Sequence, residues 1–244
     1  MKKRIYLLLL SVIVIFFSCR DESGDFVEQL FTDQQITNAL RDCIEIASDS
    51  TLNTLCIVDT LKEEYGYSYY DSKNYRITLP AGAQQVVDTL SEYGFGETID
   101  TLIMNMNRAA ELCGNKIKSQ FLDPIRKNIT FPKPNATLHG GNNAITDYVK
   151  ETKQNEFISL LTTSVLFEQF NTLEITTTWD SLQVAYYKIT DHYFYKDILT
   201  STAQQMTDGF FMKMASVEEA VRKNPDLRGK PDSWLYKVFA TLKD

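Results

Sequence analysis

The distribution of apolar residues divides the chain into a short N-terminal run and a long region of helical periodicity. From about Asp33 onward, apolar side chains recur every three to four residues, which places them on one face of an α-helix. The pattern predicts a single all-α globular domain over residues 33–244, with about eight to nine helices. No internal repeat and no Pro-rich linker divides this region in the sequence.

Caps and breakers set the expected helix ends. Asp33 can cap the first helix, and Asn142 or Asn143 can cap the helix that follows the Gly140-Gly141 break. A long helix is expected from about Ile198 to Lys223, with Met206, Phe210, Met214, Val217 and Val221 on its inner face.

A few segments depart from the helical pattern. The tyrosine-rich stretch from Tyr65 to Tyr75 predicts an ordered loop, and Arg76 to Leu79 predicts a short extended piece. Thr176 to Asp180 is expected to form a turn or a helix cap. Asn115 can cap a helix that contains Pro124, and the proline predicts a kink there.

The N-terminus has the order of a secretory signal. Lys2-Lys3-Arg4 precede an apolar run from Ile5 to Phe17, and Ser18 then supplies the small residue before a cleavage site. The run has thirteen positions, whereas a membrane span needs roughly 20. Residues 1–18 are therefore predicted to be a lipoprotein signal peptide, and Cys19 is the expected site of lipidation.

Lipidation at Cys19 would tether the domain to a bacterial membrane. A processed lipoprotein cysteine carries two or three acyl chains, which hold a soluble domain at the surface. Residues 19–32 contain the acidic stretch from Arg20 to Asp25 and are expected to form a flexible tether. The expected location is the cell envelope, most simply the outer membrane, on either its periplasmic or its surface face.

Charge and cysteine content narrow the function classes. The 244 residues contain 32 acidic and 25 basic side chains, so the net charge is −7, and removal of residues 1–18 would make it about −10. An acidic chain is unsuited to nucleic acid, whose phosphates require a basic surface. Cys43 and Cys56 are the nearest pair for a disulfide, but free buried thiols, with Cys113 as the third, are the simpler expectation.

Four short motifs carry a resemblance to a known family. At Met104-Asn-Met-Asn-Arg-Ala-Ala-Glu111, Gly140-Gly-Asn-Asn-Ala144, Asp208-Gly-Phe-Phe211 and Arg222-Lys-Asn-Pro225, the chain resembles domain of unknown function family 4197, a group of exported bacterial proteins. The resemblance implies a helical fold and export, and it carries no activity. Asn142 and Asn143 stand where acidic residues commonly follow the paired glycines, so a metal site there is not expected.

Two groups of residues are candidates for a binding or catalytic site. Asn107, Arg108 and Glu111 lie on adjacent turns of one predicted helix, where Arg108 can hold a carboxylate or a phosphate, or can simply pair with Glu111. Gly140, Gly141 and Asn142 open a predicted helix whose free N–H groups can receive an anion, or they can simply end one helix and begin the next. His139 beside them is a candidate acid or base.

These observations favour a non-enzymatic binding or scaffolding domain tethered to the envelope, with an envelope protein or a glycan as the candidate partner and no cofactor or metal. One alternative is an envelope hydrolase that uses a polar cleft around Arg108 and Glu111. The other is a carrier of an apolar ligand lined by some of the five methionines at Met104, Met106, Met206, Met212 and Met214. Tyrosines such as Tyr187, Tyr193 and Tyr195 suit a carbohydrate- or protein-binding surface, or packing over helix ends.

Overall fold

A computed structural model describes residues 30–56, 69–70 and 72–242, and no β-strand occurs among them. The prediction of one all-α domain of eight to nine helices is confirmed, because two π-helical turns join four of the eleven helical segments into two longer helices. The helices are α1 (Asp33–Leu55), α2 (Gln84–Glu92), α3 (Gly96–Glu111), α4 (Gly114–Ile117), α5 (Asp123–Asn128), α6 (Pro134–Leu138), α7 (Ala144–Leu160), α8 (Leu166–Thr172), α9 (Ile175–Thr190), α10 (Ile198–Lys223) and α11 (Trp234–Phe239).

Helix α1 lies at the centre of the packing. It contacts α10 and α11 most extensively and also touches α5, α6 and α7. Its inner face follows the predicted 3–4 spacing, and all five predicted positions are buried: Ile36, Leu40, Cys43, Ile44 and Ala47. The helix continues to Leu55, beyond the last of these positions.

An aromatic cluster forms the core between α7, α10 and the segment that precedes α5. The Phe157 ring stacks on Phe121 with the centroids 4.4 Å apart. It also meets Phe210 at 5.3 Å and Phe211 at 6.1 Å. Pairs of aromatic rings in these tilted and stacked arrangements contribute about 0.5–1.5 kcal/mol beyond the area they bury. Phe157 therefore ties three segments of the chain together.

Two long helices contain π-helical turns. The turn Lys118–Leu122 joins α4 to α5, and the turn Leu161–Val165 joins α7 to α8. The first turn lies directly before Pro124, which has no N–H for a helical hydrogen bond, so the predicted irregularity at this proline takes the form of a π-helical turn. The expectation that Asn115 caps this helix was wrong, because the helix begins one residue earlier at Gly114.

Helix α9 begins earlier than the sequence indicated. Thr176 to Asp180, expected as a turn or a cap, lies within its first turns. The chain reverses at Glu174 instead, a non-glycine residue with a left-handed φ of 53°. The predicted long helix from Ile198 to Lys223 is confirmed at both ends. Its inner face differs at one position, where Glu218 is fully buried and the neighbouring Val217 is only half-buried.

The structure also describes the three remaining cysteines and the apolar character of the helices. Cys43, Cys56 and Cys113 are free and buried, as the simpler expectation held. Among the helices of residues 30–56 and 72–242, none is long and apolar enough to cross a membrane. The predicted signal peptide, Cys19 and nearly all of the tether lie outside the described residues.

The paired glycines between α6 and α7 have different roles. A Cβ atom at Gly140 would lie 2.7 Å from the Cβ of Ala144 and 3.3 Å from the carbonyl oxygens of Ala136 and Thr137. At Gly141 the nearest such atom is 4.0 Å away, in the side chain of Asn143. Only Gly140 is therefore required by close packing of the chain.

We expect Gly140→Ala to destabilise the domain by about 1–3 kcal/mol, the usual cost of overpacking. Gly141→Ala is the matched control and should change the free energy of unfolding by less than that of Gly140→Ala, since its new methyl group meets open space. Thermal and urea denaturation of the two variants beside the wild type measure the difference. Equal losses would contradict the steric role of Gly140.

Candidate functional site

The predicted site residue Asn107 is fully buried on α3 and holds the backbone of Ile77. Its Oδ1 atom accepts from the Ile77 N–H at 2.9 Å, and its Nδ2 donates to the Ile77 carbonyl at 2.8 Å. The same Nδ2 also donates to the carbonyl of Ile103 at 2.8 Å. Both amide hydrogens of Asn107 are thus engaged by the protein itself.

Gln205 of α10 repeats this arrangement on the next residue of the chain. Its Oε1 accepts from the Thr78 N–H at 3.0 Å, and its Nε2 donates to the Thr78 carbonyl at 2.9 Å. Two carboxamides therefore satisfy two consecutive residues of an extended segment, as flanking β-strands would in a sheet. The segment from Arg76 to Leu79, which was predicted to be a short extended piece, forms no strand and pairs with these two side chains instead.

Arg108 and Glu111 form the ion pair that the sequence suggested. The Arg108 Nη1 lies 2.5 Å from the Glu111 Oε2, with the Glu111 side chain fully buried and the Arg108 side chain 24% exposed. The Tyr70 N–H donates to the Glu111 Oε1 at 3.4 Å. Burial raises the pKa of Glu111, and the hydrogen bond from Arg108 only partly offsets that effect. The pair anchors the chain at Tyr70 against α3.

At the Gly140-Gly141 turn, a carboxylate of the protein occupies the position of the predicted anion. Glu218 accepts from the backbone N–H of Ile145 at 3.0 Å and of Thr146 at 2.7 Å, in the first turn of α7. It also accepts from the Thr146 hydroxyl at 2.7 Å. Asn143 stands at the N-cap position without a capping side-chain bond, so the expectation that Asn142 or Asn143 caps this helix was wrong. Glu218 from α10 caps it instead.

Glu218 is itself paired with a buried arginine. The Arg222 Nε donates to the Glu218 Oε1 at 2.9 Å, and both side chains are at most 6% exposed. The Arg222 Nη1 donates to the carbonyl of Leu138 at 2.7 Å, at the end of α6. Arg228 then donates to the carbonyls of Val221 and Arg222 near the end of α10. We call Glu218, Arg222 and Arg228 the buried charge network.

The two predicted parts of the site are not joined in one cavity. An open cavity of about 590 Å³ is lined by His139, Gly140, Asn142, Arg222 and Lys223, with Thr241 and Leu242. No α3 residue lines it. Asn142 donates to Glu219 at 3.2 Å at its rim. Asn107, Arg108 and Glu111 hold the chain at Tyr70 and Ile77 instead, so the sequence-predicted cluster and the glycine turn serve different junctions of the fold.

A second cavity was not predicted from the sequence. It is a groove of about 710 Å³ between α1 and the connection to α11, and we call it the α1 groove. Four acidic and two basic residues line it together with apolar and neutral polar ones, and no group of three or more His, Cys, Asp and Glu among the described residues is placed to hold a metal ion. Its charged lining residues are Asp42, Glu45, Asp49, Asp232, Arg228 and Lys230.

The carboxylates of the α1 groove have different surroundings. Lys118 and Arg126 donate to Asp49 at 2.7 and 2.6 Å, and these bonds outweigh its burial and lower its pKa. The pKa of Asp42 is raised, first by burial and then by the charge of Glu45, against an N–H donated by Leu235. Asp42 is not within salt-bridge distance of any described lysine or arginine.

A sequence signal for the α1 groove exists but is weak. Asp42, Glu45 and Asp49 recur at a spacing of three and four on the polar face of one helix, a pattern that usually marks only a solvated surface. The opposite wall, around Lys230 and Asp232, is almost two hundred residues away in the chain. The groove therefore exists only after α1 and α11 have packed together.

The methionines and tyrosines divide between the core and the surface. Met106, Met206 and Met214 are buried in the core, whereas Met104 and Met212 are exposed. The described cavities that open on the surface are lined with charged residues rather than with these methionines. Tyr69 and Tyr186 are likewise buried, whereas Tyr193 and Tyr195 are more than four-fifths exposed.

We expect Arg108→Ala to lower the free energy of unfolding at neutral pH by about 1–3 kcal/mol, because it leaves the buried Glu111 carboxylate without its cation. The loss should shrink on acidification. Burial already raises the folded-state pKa of Glu111, and removing Arg108 raises it further, so the carboxyl of the folded variant is protonated above the unfolded pKa and its unpaired charge is lost there.

Urea denaturation of both proteins between pH 4 and pH 8 measures this difference. The matched control is Lys116→Ala, which breaks an exposed pair with Glu168 and should cost at most about 1 kcal/mol. An unchanged or higher stability of Arg108→Ala at neutral pH would contradict a structural role and indicate a ligand site at this pair.

Comparison with known proteins agrees with the resemblance seen in the motifs. A family model described as "protein of unknown function (DUF4197)" matches residues 30–240, a range that contains every described helix. No curated protein and no solved structure matches the chain. The chain belongs to the DUF4197 family.

Proposed function

We propose that this protein is a lipid-anchored, non-enzymatic binding protein of the bacterial envelope, and that its α1 groove receives a cationic segment of its partner. Two independent features support the proposal. The order of charged, apolar and small residues before Cys19 is that of a lipoprotein signal. The α1 groove has a volume of about 710 Å³ and an excess of acidic groups.

The observation that carries the binding site is the environment of Asp42. Its carboxyl is half-buried beside the exposed Glu45, whose Oε1 lies 3.8 Å from the Arg126 Nη1. Among the described residues, an N–H from Leu235 is the contact that favours the ionised form of Asp42. Like charges held together at a partly buried site raise the cost of ionisation, and a cation placed between them removes that cost. An ammonium or guanidinium group of a ligand meets this requirement.

The size of the groove limits what it can hold. A volume of about 710 Å³ lies within the range of roughly 300–1,000 Å³ found for ligand sites, and the apolar side chains of Ile46 and Leu235 line it among the charges. Lysine and arginine combine a long aliphatic stem with a charged end, so their side chains match such a lining. A short peptide segment with one or two basic residues fits best.

The hydrolase alternative loses Glu111 as its acid or base in this arrangement, and its other candidate, His139, lines the separate cavity at the Gly140-Gly141 turn. Glu111 accepts hydrogen bonds from Arg108 and from the Tyr70 backbone, and Asn107 holds Ile77. A general acid or base must reach a substrate proton, and the fully buried Glu111 side chain does not. Binding is therefore the better-supported class.

The anchor is tested by Cys19→Ala, which removes the thiol that would carry the lipid. We expect the variant to incorporate no labelled fatty acid and to be found in the soluble fraction or as an uncleaved precursor. Ser18→Ala is the control, since alanine keeps a small residue before the cleavage site. Label that persists on Cys19→Ala would show that another residue carries the lipid.

The groove is tested by the double variant Asp42→Asn/Glu45→Gln. We expect it to bind a synthetic peptide of alternating lysine and alanine at least tenfold more weakly than the wild type, because it lacks the two carboxylates that favour a cation. Wild-type binding should also weaken on acidification, since the raised pKa of Asp42 brings its protonation closer to neutral pH. Isothermal titration calorimetry provides both measurements.

The matched control is Glu97→Gln/Asp100→Asn, which removes two exposed carboxylates at the same spacing on α3. It should retain the wild-type affinity. Equal weakening in the two double variants would mean that the peptide responds only to net charge. Full binding by the groove variant would exclude the α1 groove as the site.

A further inference from the structure

The connection between α9 and α10 is an extended segment that is firmly held to the domain. Helix α9 ends at Asp191, a non-glycine residue with a left-handed φ of 56°. Residues 192–197 form no helix, and α10 begins at Ile198 after the cap at Asp197. The Asp197 carboxylate accepts from the Thr200 N–H at 3.1 Å and from its hydroxyl at 2.6 Å, which fixes the end of the segment.

The Phe194 ring and the Lys196 backbone hold this segment to the domain. The Phe194 ring meets the buried Trp179 edge to face, with the centroids 6.1 Å apart. The Lys196 carbonyl accepts from the Trp179 Nε1 at 2.8 Å, and the Lys196 N–H donates to the Gln183 Oε1 at 3.0 Å. Tyr193 and Tyr195 lie on either side of Phe194 in the chain, and both are exposed.

The two tyrosines of this segment face solvent. Tyr193 is 83% exposed and Tyr195 is 81% exposed. The Tyr193 ring stacks on Tyr187 of α9, with the centroids 4.1 Å apart and the planes 18° from parallel. We call Tyr187, Tyr193 and Tyr195 the tyrosine platform. One face of the Tyr193 ring is supported by Tyr187, while the other face stays open to solvent.

The domain gains little stability from this arrangement. A tyrosine ring that is four-fifths exposed keeps most of its apolar surface in water, so its burial contributes only a small part of the stabilisation that a core aromatic provides. The anchors at Phe194, Lys196 and Asp197 would hold the segment with any residues at positions 193 and 195. The chemistry of Tyr193 and Tyr195 is therefore available for a ligand.

We propose that the tyrosine platform binds a glycan of the envelope through the faces of its pyranose rings. A pyranose ring presents an apolar C–H face that packs on a flat aromatic ring, and it has hydroxyl groups around its edge. The exposed Asp191, His192 and Lys196 stand beside the platform and offer acceptors and donors for those hydroxyls.

The dimensions of the platform favour a sugar over a protein. A specific protein interface buries about 800 Å² on each partner, whereas each aromatic side chain supplies roughly 150–250 Å². The Tyr187 and Tyr193 rings cover part of each other, so the three tyrosines offer less than such an interface, but enough for one or two sugar rings. The proposal rests on the proposed function for the envelope location that supplies the glycan, and it does not involve the α1 groove.

Two envelope polymers present pyranose rings, and the experiment separates them. The processed full-length protein in detergent is incubated with purified cell-wall sacculi, which are pelleted, and separately with dispersed lipopolysaccharide, which is followed by calorimetry. We expect binding to one of the two glycans, and we expect Tyr193→Ala/Tyr195→Ala to weaken it at least tenfold. Tyr193→Phe/Tyr195→Phe keeps the rings and should retain most of the affinity.

Tyr93→Ala is the matched control, since Tyr93 is 62% exposed at the end of α2, outside the platform. It should bind the glycan as the wild type does. The inference is overturned if the wild type binds neither polymer, if Tyr93→Ala loses as much affinity as the platform variant, or if the platform variant keeps full affinity.

The cationic-peptide titration is repeated on the platform variant. Retained peptide binding with a failed glycan test removes this inference alone, whereas failed peptide binding by the wild type removes the α1 groove and leaves the platform result to stand on its own. Selective loss of a protein partner from the platform variant, with no glycan bound by the wild type, would identify a protein-binding surface instead and overturn the proposal.

Discussion

The fold depends on one carboxylate. Glu218 lies fully inside the domain on α10, whose inner face is apolar apart from Glu218, Arg222 and two threonines. It accepts from N–H groups in the first turn of α7 and from the guanidinium of Arg222. A buried charge without partners would be prohibitively unfavourable, and breaking such a pair costs about 3–5 kcal/mol. Because Arg222 also holds the end of α6, the α6–α10 and α7–α10 junctions must form together with the Glu218–Arg222 pair.

Polar side chains hold the fold elsewhere in the same way. Asn107 and Gln205 replace the neighbouring strands that an extended segment needs, and Arg108 with Glu111 anchors the chain one turn further along α3. The motifs of the family resemblance coincide with these places and with the close approach at Gly140. What marks the family in this sequence is therefore largely the set of residues that join its helices, which is why the motifs alone indicate no reaction.

The two proposed binding sites lie on the surface of the domain. The α1 groove concentrates carboxylates around Asp42, where charge is only partly compensated. The tyrosine platform displays two rings on a segment that is pinned from below by Trp179 and Gln183. If the proposed lipid anchor holds the protein at a membrane, two such sites would act together, since linked contacts raise the overall affinity without any new interaction.

The sequence by itself determined the helical class, the single domain, the inner face of α1 and the full length of α10, because each follows from local periodicity and local breakers. It also identified the Arg108–Glu111 pair, whose members are three residues apart. Only the tertiary structure decided that Glu218 points inward beside Val217, that it caps α7, and that the walls of the α1 groove meet. Those contacts join residues seventy or more positions apart. A charged residue is stable in the core only when such partners surround it, and a local sequence pattern does not contain that information.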